Sequence, residues 1–270
     1  MKVNFGNVAD NYSLYRNDLP ADFIPALIIR GYEIKGKKAA DLGAGTGVLT
    51  RALCEEGADV TGIEPSRELI KKAEEQNKEE GTQIKYKYGC AESTGLRDEH
   101  FDYVTVFRAW HWFDRQKALE EIRRISKKNS TLIVADSGFV SKSKVIRDTM
   151  DIVGKYKHGG KIIPAGAKAE AGQVINGFPV DWFREWQDAH FDLQEIYKFT
   201  YDVLFTNEDW CGRVGSLSWM AEFEGKKQQA ILNELYDHLL YTFGETDHKI
   251  EHSCFTAVLK RNPDPVDQMY

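Results

Sequence analysis

The sequence predicts an α/β fold, in which a doubly wound and mostly parallel sheet of about seven strands carries an antiparallel C-terminal strand and helical insertions that form a cap. Three observations predict it. Between residues 38 and 136, short β-prone runs alternate with segments of helical spacing, the pattern of parallel strands joined by right-handed crossovers. A glycine cluster, Gly43-Ala44-Gly45-Thr46-Gly47, stands where the first run gives way to the first of these helices. An acid, Glu64, closes the second run about 20 residues further on.

Each element has its own signal. Residues 38–42 form the first strand. Residues 46–56 follow as a helix with Val48, Leu49, Ala52 and Leu53 on one face. Residues 58–64 read as a strand, and residues 66–78 as a helix that Ser66 can cap. Residues 83–88 alternate apolar and polar side chains, and residues 101–107 are β-prone through Tyr103, Val104, Thr105 and Val106. Residues 115–127 read as a helix and 130–135 as a strand. After Asp136 the rhythm changes. Residues 137–157 have amphipathic helical spacing. Residues 154–177, rich in Gly, Ala and Lys around Pro164, read as a mobile lid or a plain surface insertion. A short helix at 181–189, β-like segments at 191–205, helices at 208–220 and 226–243 and a strand at 252–260 complete the pattern. The expected organisation is a core over 1–136 with an N-terminal capping helix, and an insertion or lid over 137–190. The remaining strands of the core fall in 191–260, with a helical insertion at 206–243, and a flexible tail covers 261–270.

The 270 residues carry a net charge of −6, which argues against a broad nucleic-acid surface. Cys54, Cys90, Cys211 and Cys254 are too scattered for a disulfide scaffold, so a reducing compartment fits. The charged opening segment does not read as a signal peptide, and no apolar run approaches the roughly 20 residues of a membrane span. The expectation is a cytoplasmic protein, monomer or homodimer, acting on a small molecule, with neither nucleic acid nor membrane as partner. His248 and His252 are four apart, as on a metal-binding helix, but their segment leads into a strand and no carboxylate pair completes a site, so no metal is expected.

The chemistry concentrates on Asp41-Leu42-Gly43-Ala44-Gly45-Thr46-Gly47. Glycines at such a turn let the backbone approach a ligand and take dihedrals that other residues resist. The helix N-terminus would offer free amides to a negative group. Asp41 can hold a ligand ammonium, and Glu64 can accept hydrogen bonds from both hydroxyls of a ribose. The dinucleotide fingerprint is Gly-x-Gly-x-x-Gly; here the third glycine comes one position early, and Asp41 would repel a pyrophosphate. Both departures disfavour a nicotinamide oxidoreductase and favour a purine riboside with an amino-acid end.

On these motifs the sequence resembles the class I S-adenosylmethionine-dependent methyltransferases, whose core is Rossmann-like. Gly62-Ile63-Glu64-Pro65-Ser66, Gly89-Cys90-Ala91-Glu92-Ser93 and Phe101-Asp102-Tyr103-Val104 match further family motifs. His111-Trp112-Phe113, the opening Phe5-Gly6-Asn7-Val8-Ala9-Asp10-Asn11-Tyr12 with Tyr15-Arg16, and Thr206-Asn207-Glu208-Asp209-Trp210 resemble the subgroup of trans-aconitate methyltransferases. Asn17 departs from that pattern, since a proline often follows the Tyr-Arg pair, and the stretch 137–190 is long.

The resemblance implies roles. Asp41, Gly43 and Gly45, with Ala44 between them, would hold the methionine part of S-adenosylmethionine. Glu64, with Pro65, would hold the ribose, and Ala91 and Glu92 would flank the adenine. Phe107, Arg108 and Ala109 would complete the cofactor site near the methyl group. Tyr15 and Arg16 would cover it, Arg16 through a two-pronged bond to a carboxylate. Tyr12, Trp110, Trp112, Arg213 and Trp219 would line the substrate side. His111 is the candidate base, because an imidazole titrates near working pH; a carboxylate acceptor would need none. The implied reaction is O-methylation of a small-molecule carboxylate or hydroxyl, yielding S-adenosylhomocysteine. Methylation at nitrogen or carbon and a non-catalytic cofactor-binding module are the alternatives.

Overall fold

A computed structural model describes residues 19–140, 142–157, 162, 168, 171–223 and 225–263. Tyr12, Tyr15 and Arg16, the expected capping helix, and much of the expected lid and tail lie outside the described residues.

The elements in chain order are α1 (Phe23–Ile29), β1 (Lys38–Leu42), α2 (Val48–Glu55), β2 (Asp59–Glu64), α3 (Arg67–Glu80), β3 (Lys85–Tyr88), β4 (Phe101–Phe107) and α4 (Arg115–Ile125). There follow β5 (Ser126–Phe139), α5 (Lys144–Tyr156), a small hairpin of β6 (Val174–Ile175) and β7 (Phe178–Pro179), and α6 (Val180–Asp188). The last are β8 (Phe191–Phe205), α7 (Asn207–Gly215), α8 (Gly225–Phe243) and β9 (His248–Arg261). The sheet has seven strands in the order β3-β2-β1-β4-β5-β9-β8, parallel from β3 through β5, with the C-terminal strand antiparallel. The expected fold class is therefore the observed one. Strand order reverses between β1 and β4. In an open α/β sheet that reversal opens a crevice beyond the carboxyl ends of the strands, and the loops after β1 and β4 meet there.

Local sequence explains the pieces. Ala39, Ala40 and Leu42 of β1 are all at most 1% exposed, as a strand covered on both faces requires. Ser66 caps α3, its hydroxyl accepting the Leu69 N–H at 3.3 Å, and Gly81 ends it in the left-handed region. In α4, Ala118, Leu119, Ile122 and Ile125 form the buried stripe. No described helix is long and apolar enough to cross a membrane.

Several boundaries differ from the sequence expectation. α4 stops at Ile125 because Ser126 takes extended backbone and pairs with Phe101, so β5 begins earlier than predicted. β5 also runs on to Phe139, and α5 begins only where the Ser143 hydroxyl accepts the Ile146 N–H. The helix predicted to reach residue 220 ends at Gly215, because Leu217 is extended; a single 3-10 turn, Ser218–Met220, follows. β9 starts at His248, so His248 and His252 both lie on a strand.

The described residues group into two compact units. One takes residues 19–137, 171–199 and 254–263, and the remaining described residues form the other. The first contains β1 to β4 and α1 to α4. In the second, Val145, Ile152, Val153, Trp210, Val214, Leu235 and Leu239 form a core of their own. There the Trp210 indole N–H donates to Thr149 Oγ1 at 2.9 Å, and His248 Nε2 lies 2.6 Å from Asn207 Oδ1. Arg213 and Trp219 belong to this second unit, Arg213 buried at 2% exposure and Trp219 half-buried against that core.

Candidate functional site

The loop after β1 is built by three left-handed glycines, Gly43 (φ +70°), Gly45 (φ +59°) and Gly47 (φ +81°). Their positive φ is the first reason for glycine, and close packing is the second. A Cβ on Gly43 would stand 2.6 Å from the Cβ of Ala109, in the loop after β4, and 3.6 Å from the Phe113 ring. A Cβ on Gly47 would run into the Tyr86 hydroxyl, and one on Gly62 would lie 2.6 Å from Tyr86 Cδ1. Tyr86, on β3, is thus the side chain against which both glycines fit. Nothing in the run 83–88 singles it out before the fold is known.

Asp41, next to last in β1, is almost fully buried, at 2% exposure. Its carboxyl accepts the Thr50 hydroxyl at 2.6 Å and the Thr105 hydroxyl at 3.0 Å. Burial pushes its pKa up to about 6, against the pull of those two donors. Glu64 ends β2 at 6% exposure. One carboxyl oxygen accepts the Gly45 N–H and the other the Ser66 N–H, each at 2.9 Å. Burial raises this carboxyl to about 7; the two backbone donors pull it down, and the nearby Asp41 adds to the rise.

These bonds engage four amides of the loop, while the helix N-terminus that the sequence pointed to begins only at Val48. The loop amides are not free for an anion. Gly43 and Ala44 N–H both donate to the Ile63 carbonyl, at 2.8 and 3.0 Å, Gly47 N–H donates to Ala44 O, and Gly45 N–H is held by Glu64. A phosphate finds no donor at these four amides, and it would meet two carboxyl groups.

The remaining expected cofactor residues gather around the same strand ends. Pro65 is exposed beside Glu64, and Ala91 is buried after β3. Glu92 accepts the Asp114 N–H at 2.8 Å, tying the loop after β3 to the loop after β4. Phe107 closes β4 with its ring 5.6 Å from that of Phe23. Arg108 follows at φ +57°, a left-handed conformation uncommon for a residue with a side chain, its guanidinium 4.4 Å from the Phe107 ring centre. Its N–H donates to Ala135 O, which docks the loop on β5.

The turn Trp110–Trp112 carries the substrate-side candidates. Trp110 points into the core rather than lining a pocket; it is 2% exposed, with its ring centre 5.8 Å from Phe113 and 6.1 Å from Trp186. Trp112 is only half-buried, 4.8 Å from the His111 ring. His111 Nδ1 lies 4.0 Å from Asp136 Oδ2, with the two side chains 14% and 18% exposed. In the sequence Asp136 stands only as a boundary, although it follows an apolar strand run as Asp41 and Glu64 do. Arg213 and Trp219 are placed in the other compact unit, and Tyr12, Tyr15 and Arg16 lie outside the described residues. No group of three or more metal-ligating side chains occurs among the described residues.

Comparison with known proteins gives four findings. The family profile described as methyltransferase domain matches residues 40–134. A Dictyostelium discoideum protein bearing the name methyltransferase is 30% identical over 243 residues, 90% of this chain and 87% of its own. Mycobacterium tuberculosis and Mycobacterium bovis proteins, also named methyltransferases, are 29% identical over 155 residues; the match spans 57% of this chain and 60% of their length. A solved structure from Bacillus halodurans, titled a methyltransferase, shares the fold over 90% of this chain and all of its own, with a TM-score of 0.57 at 19% identity.

Proposed function

The chain belongs to the S-adenosylmethionine-dependent methyltransferase family, and we propose that it moves a methyl group from S-adenosylmethionine to an oxygen, carboxylate or hydroxyl, of a small molecule. The observation that carries this reading is the Glu64 carboxyl seated on the Gly45 amide. Where a dinucleotide site presents donors to a pyrophosphate, this site presents a buried acid at the end of each of the first two strands. A ligand with ribose hydroxyls and an ammonium group suits it, and a phosphate does not.

In this reading Glu64 and Pro65 hold the ribose, and Ala91 and Glu92 flank the adenine. Asp41, Gly43, Ala44 and Gly45 receive the amino-acid end, where the left-handed turns bring backbone close to the ligand. Phe107, Arg108 and Ala109 border the methyl group. When bound, S-adenosylmethionine supplies a methyl carbon on a sulfonium, a leaving group that needs no proton. The chain therefore has to align the acceptor and exclude water. Trp112 offers an aromatic face that favours a cation, and His111 stands ready to take a proton.

Calorimetry with S-adenosylmethionine and, separately, NADH tests the proposal. Binding of the first alone is expected; heat with NADH and none with S-adenosylmethionine would overturn it. A screen of small-molecule metabolites with a labelled methyl donor then identifies the acceptor.

A further inference from the structure

We infer that Trp186, on α6, is a positioning residue for methyl transfer: it acts through Trp110, holding from behind the turn that carries His111 and Trp112. The inference rests on the methyltransferase reading for its effect on the reaction, and on packing alone for its effect on the turn.

α6 stands in the stretch expected to be an insertion or lid, yet it groups with β1 to β4 in the first compact unit. Two contacts bolt it there. Arg115, in the first turn of α4, donates to the Glu185 carboxylate from Nε at 2.6 Å and from Nη2 at 2.7 Å. Such a two-pronged pair fixes direction as well as distance. The next residue, Trp186, is 1% exposed, and its ring centre lies 6.1 Å from that of Trp110. Phe178, Trp182 and Phe183 pack around Trp186 with ring centres at 5.8, 6.4 and 5.2 Å. Close-packed rings of this kind transmit a displacement rather than absorb it.

Trp110 passes that restraint to the site. It opens the 3-10 turn Trp110–Trp112, and its ring centre lies 5.8 Å from that of Phe113, just past the turn. Ala109, just before it, is the residue against which Gly43 has no space for a Cβ. A shift of the Trp110 indole therefore displaces both His111 and Trp112 and the wall facing the loop after β1. Neither the Trp110 nor the Trp186 indole N–H has a hydrogen-bond partner among the described residues. The two rings are thus held together by packing, and the shape of residue 186 is what matters. Trp186→Phe keeps an aromatic wall and loses no hydrogen bond, whereas Trp186→Ala opens a cavity into which Trp110 can relax.

Indole NMR on protein labelled with 15N-tryptophan reads the turn without any ligand. The chain has six tryptophans, and Trp112→Phe assigns the Trp112 signal. That signal is expected to stay in place in Trp186→Phe and to shift or broaden in Trp186→Ala. Ile125→Ala, a cavity at the far end of α4, controls for lost stability and is expected to leave the signal in place. A Trp112 signal indifferent to Trp186→Ala overturns the inference, as does one that Ile125→Ala moves just as far. If Trp186→Ala does not fold, Trp186→Leu, which leaves a smaller gap, takes its place under the same criteria. For the reaction, labelled S-adenosylmethionine is incubated with a pooled small-molecule extract. Misplacing the turn by about 1 Å is expected to slow labelling about a hundredfold in Trp186→Ala while calorimetric affinity for S-adenosylmethionine is kept, with Trp186→Phe recovering most of the rate. An unchanged rate, a parallel loss of affinity, or no recovery with phenylalanine overturns the positioning role. Absence of S-adenosylmethionine binding in the native chain counts against the methyltransferase reading instead, and leaves the NMR result standing.

Discussion

Tyr86 lies so close to Gly62 that a Cβ on the glycine would stand 2.6 Å from the ring Cδ1, and the same ring blocks a Cβ on Gly47. One side chain on β3 therefore dictates glycine at two places, in the loop after β1 and in the neighbouring strand β2. Gly47→Ala adds left-handed strain to the clash, and a loss of about 2–4 kcal/mol is expected from denaturant melts. Gly62→Ala, which has the clash without a positive φ, should cost about 1–3 kcal/mol. Tyr86→Leu in the same chain should relieve part of the Gly62→Ala loss, read as coupling in a double-mutant cycle.

Glu64 titrates near 7 in the folded chain against 4.5 for an unburied glutamate. Its folded pKa is raised, so its proton stabilises the folded protein fully below pH 4.5, and that contribution is lost as pH climbs through 7. The swing is on the order of 3 kcal/mol. Glu64→Gln should flatten this part of the stability–pH curve, and should weaken S-adenosylmethionine binding at least about tenfold. Hydroxyl donors favour the ionised carboxyl, so native affinity should rise between pH 6 and pH 8, with proton release. Calorimetry in two buffers of different ionisation heat measures both effects.

Thr105→Val removes one of the two hydroxyls that hold Asp41. The charged carboxylate loses more than the neutral acid, and Asp41 titrates near 6. The expected cost is about 1.5–3 kcal/mol at pH 8 and less at pH 5, where the acid is mostly protonated. Equal costs at the two pH values would show that the hydroxyl does not serve the charge.

Arg108 holds a left-handed backbone at the edge of the crevice. Arg108→Gly relieves that conformation, worth about 1–2 kcal/mol, so the melting temperature should hold or rise despite the lost side chain. Methyl transfer should fall. A variant that is both less stable and fully active would show that the left-handed backbone at Arg108 neither costs stability nor serves methyl transfer.

Much of the fold was legible because its signals are local. The glycine cluster, the Ser66 cap and the strand-like run 130–135 each announce an element within a few residues. Strand ends were misjudged where pairing decides: nothing near Ser126 says that it will lie beside Phe101, and nothing near Phe139 marks the strand's end. Asp41 and Glu64 were readable as acids closing strands. Their partners Thr50, Thr105 and the Gly45 amide were not, since those contacts depend on how the loop folds back. Trp110 looked like its neighbour Trp112 in sequence, and only packing separates a core indole from an accessible one.

The Glu64 bridge from the Gly45 amide to the Ser66 amide has a kinetic meaning. It clasps the turn to the start of α3, so under the proposed function the cradle is closed before a nucleoside arrives. Capture then involves little rearrangement of the cradle, and encounter rates should be governed by diffusion and by whatever guards the entrance. Swapping glycines to mimic a dinucleotide fingerprint would leave that clasp shut, so conversion to another coenzyme would have to begin at position 64 and not in the loop.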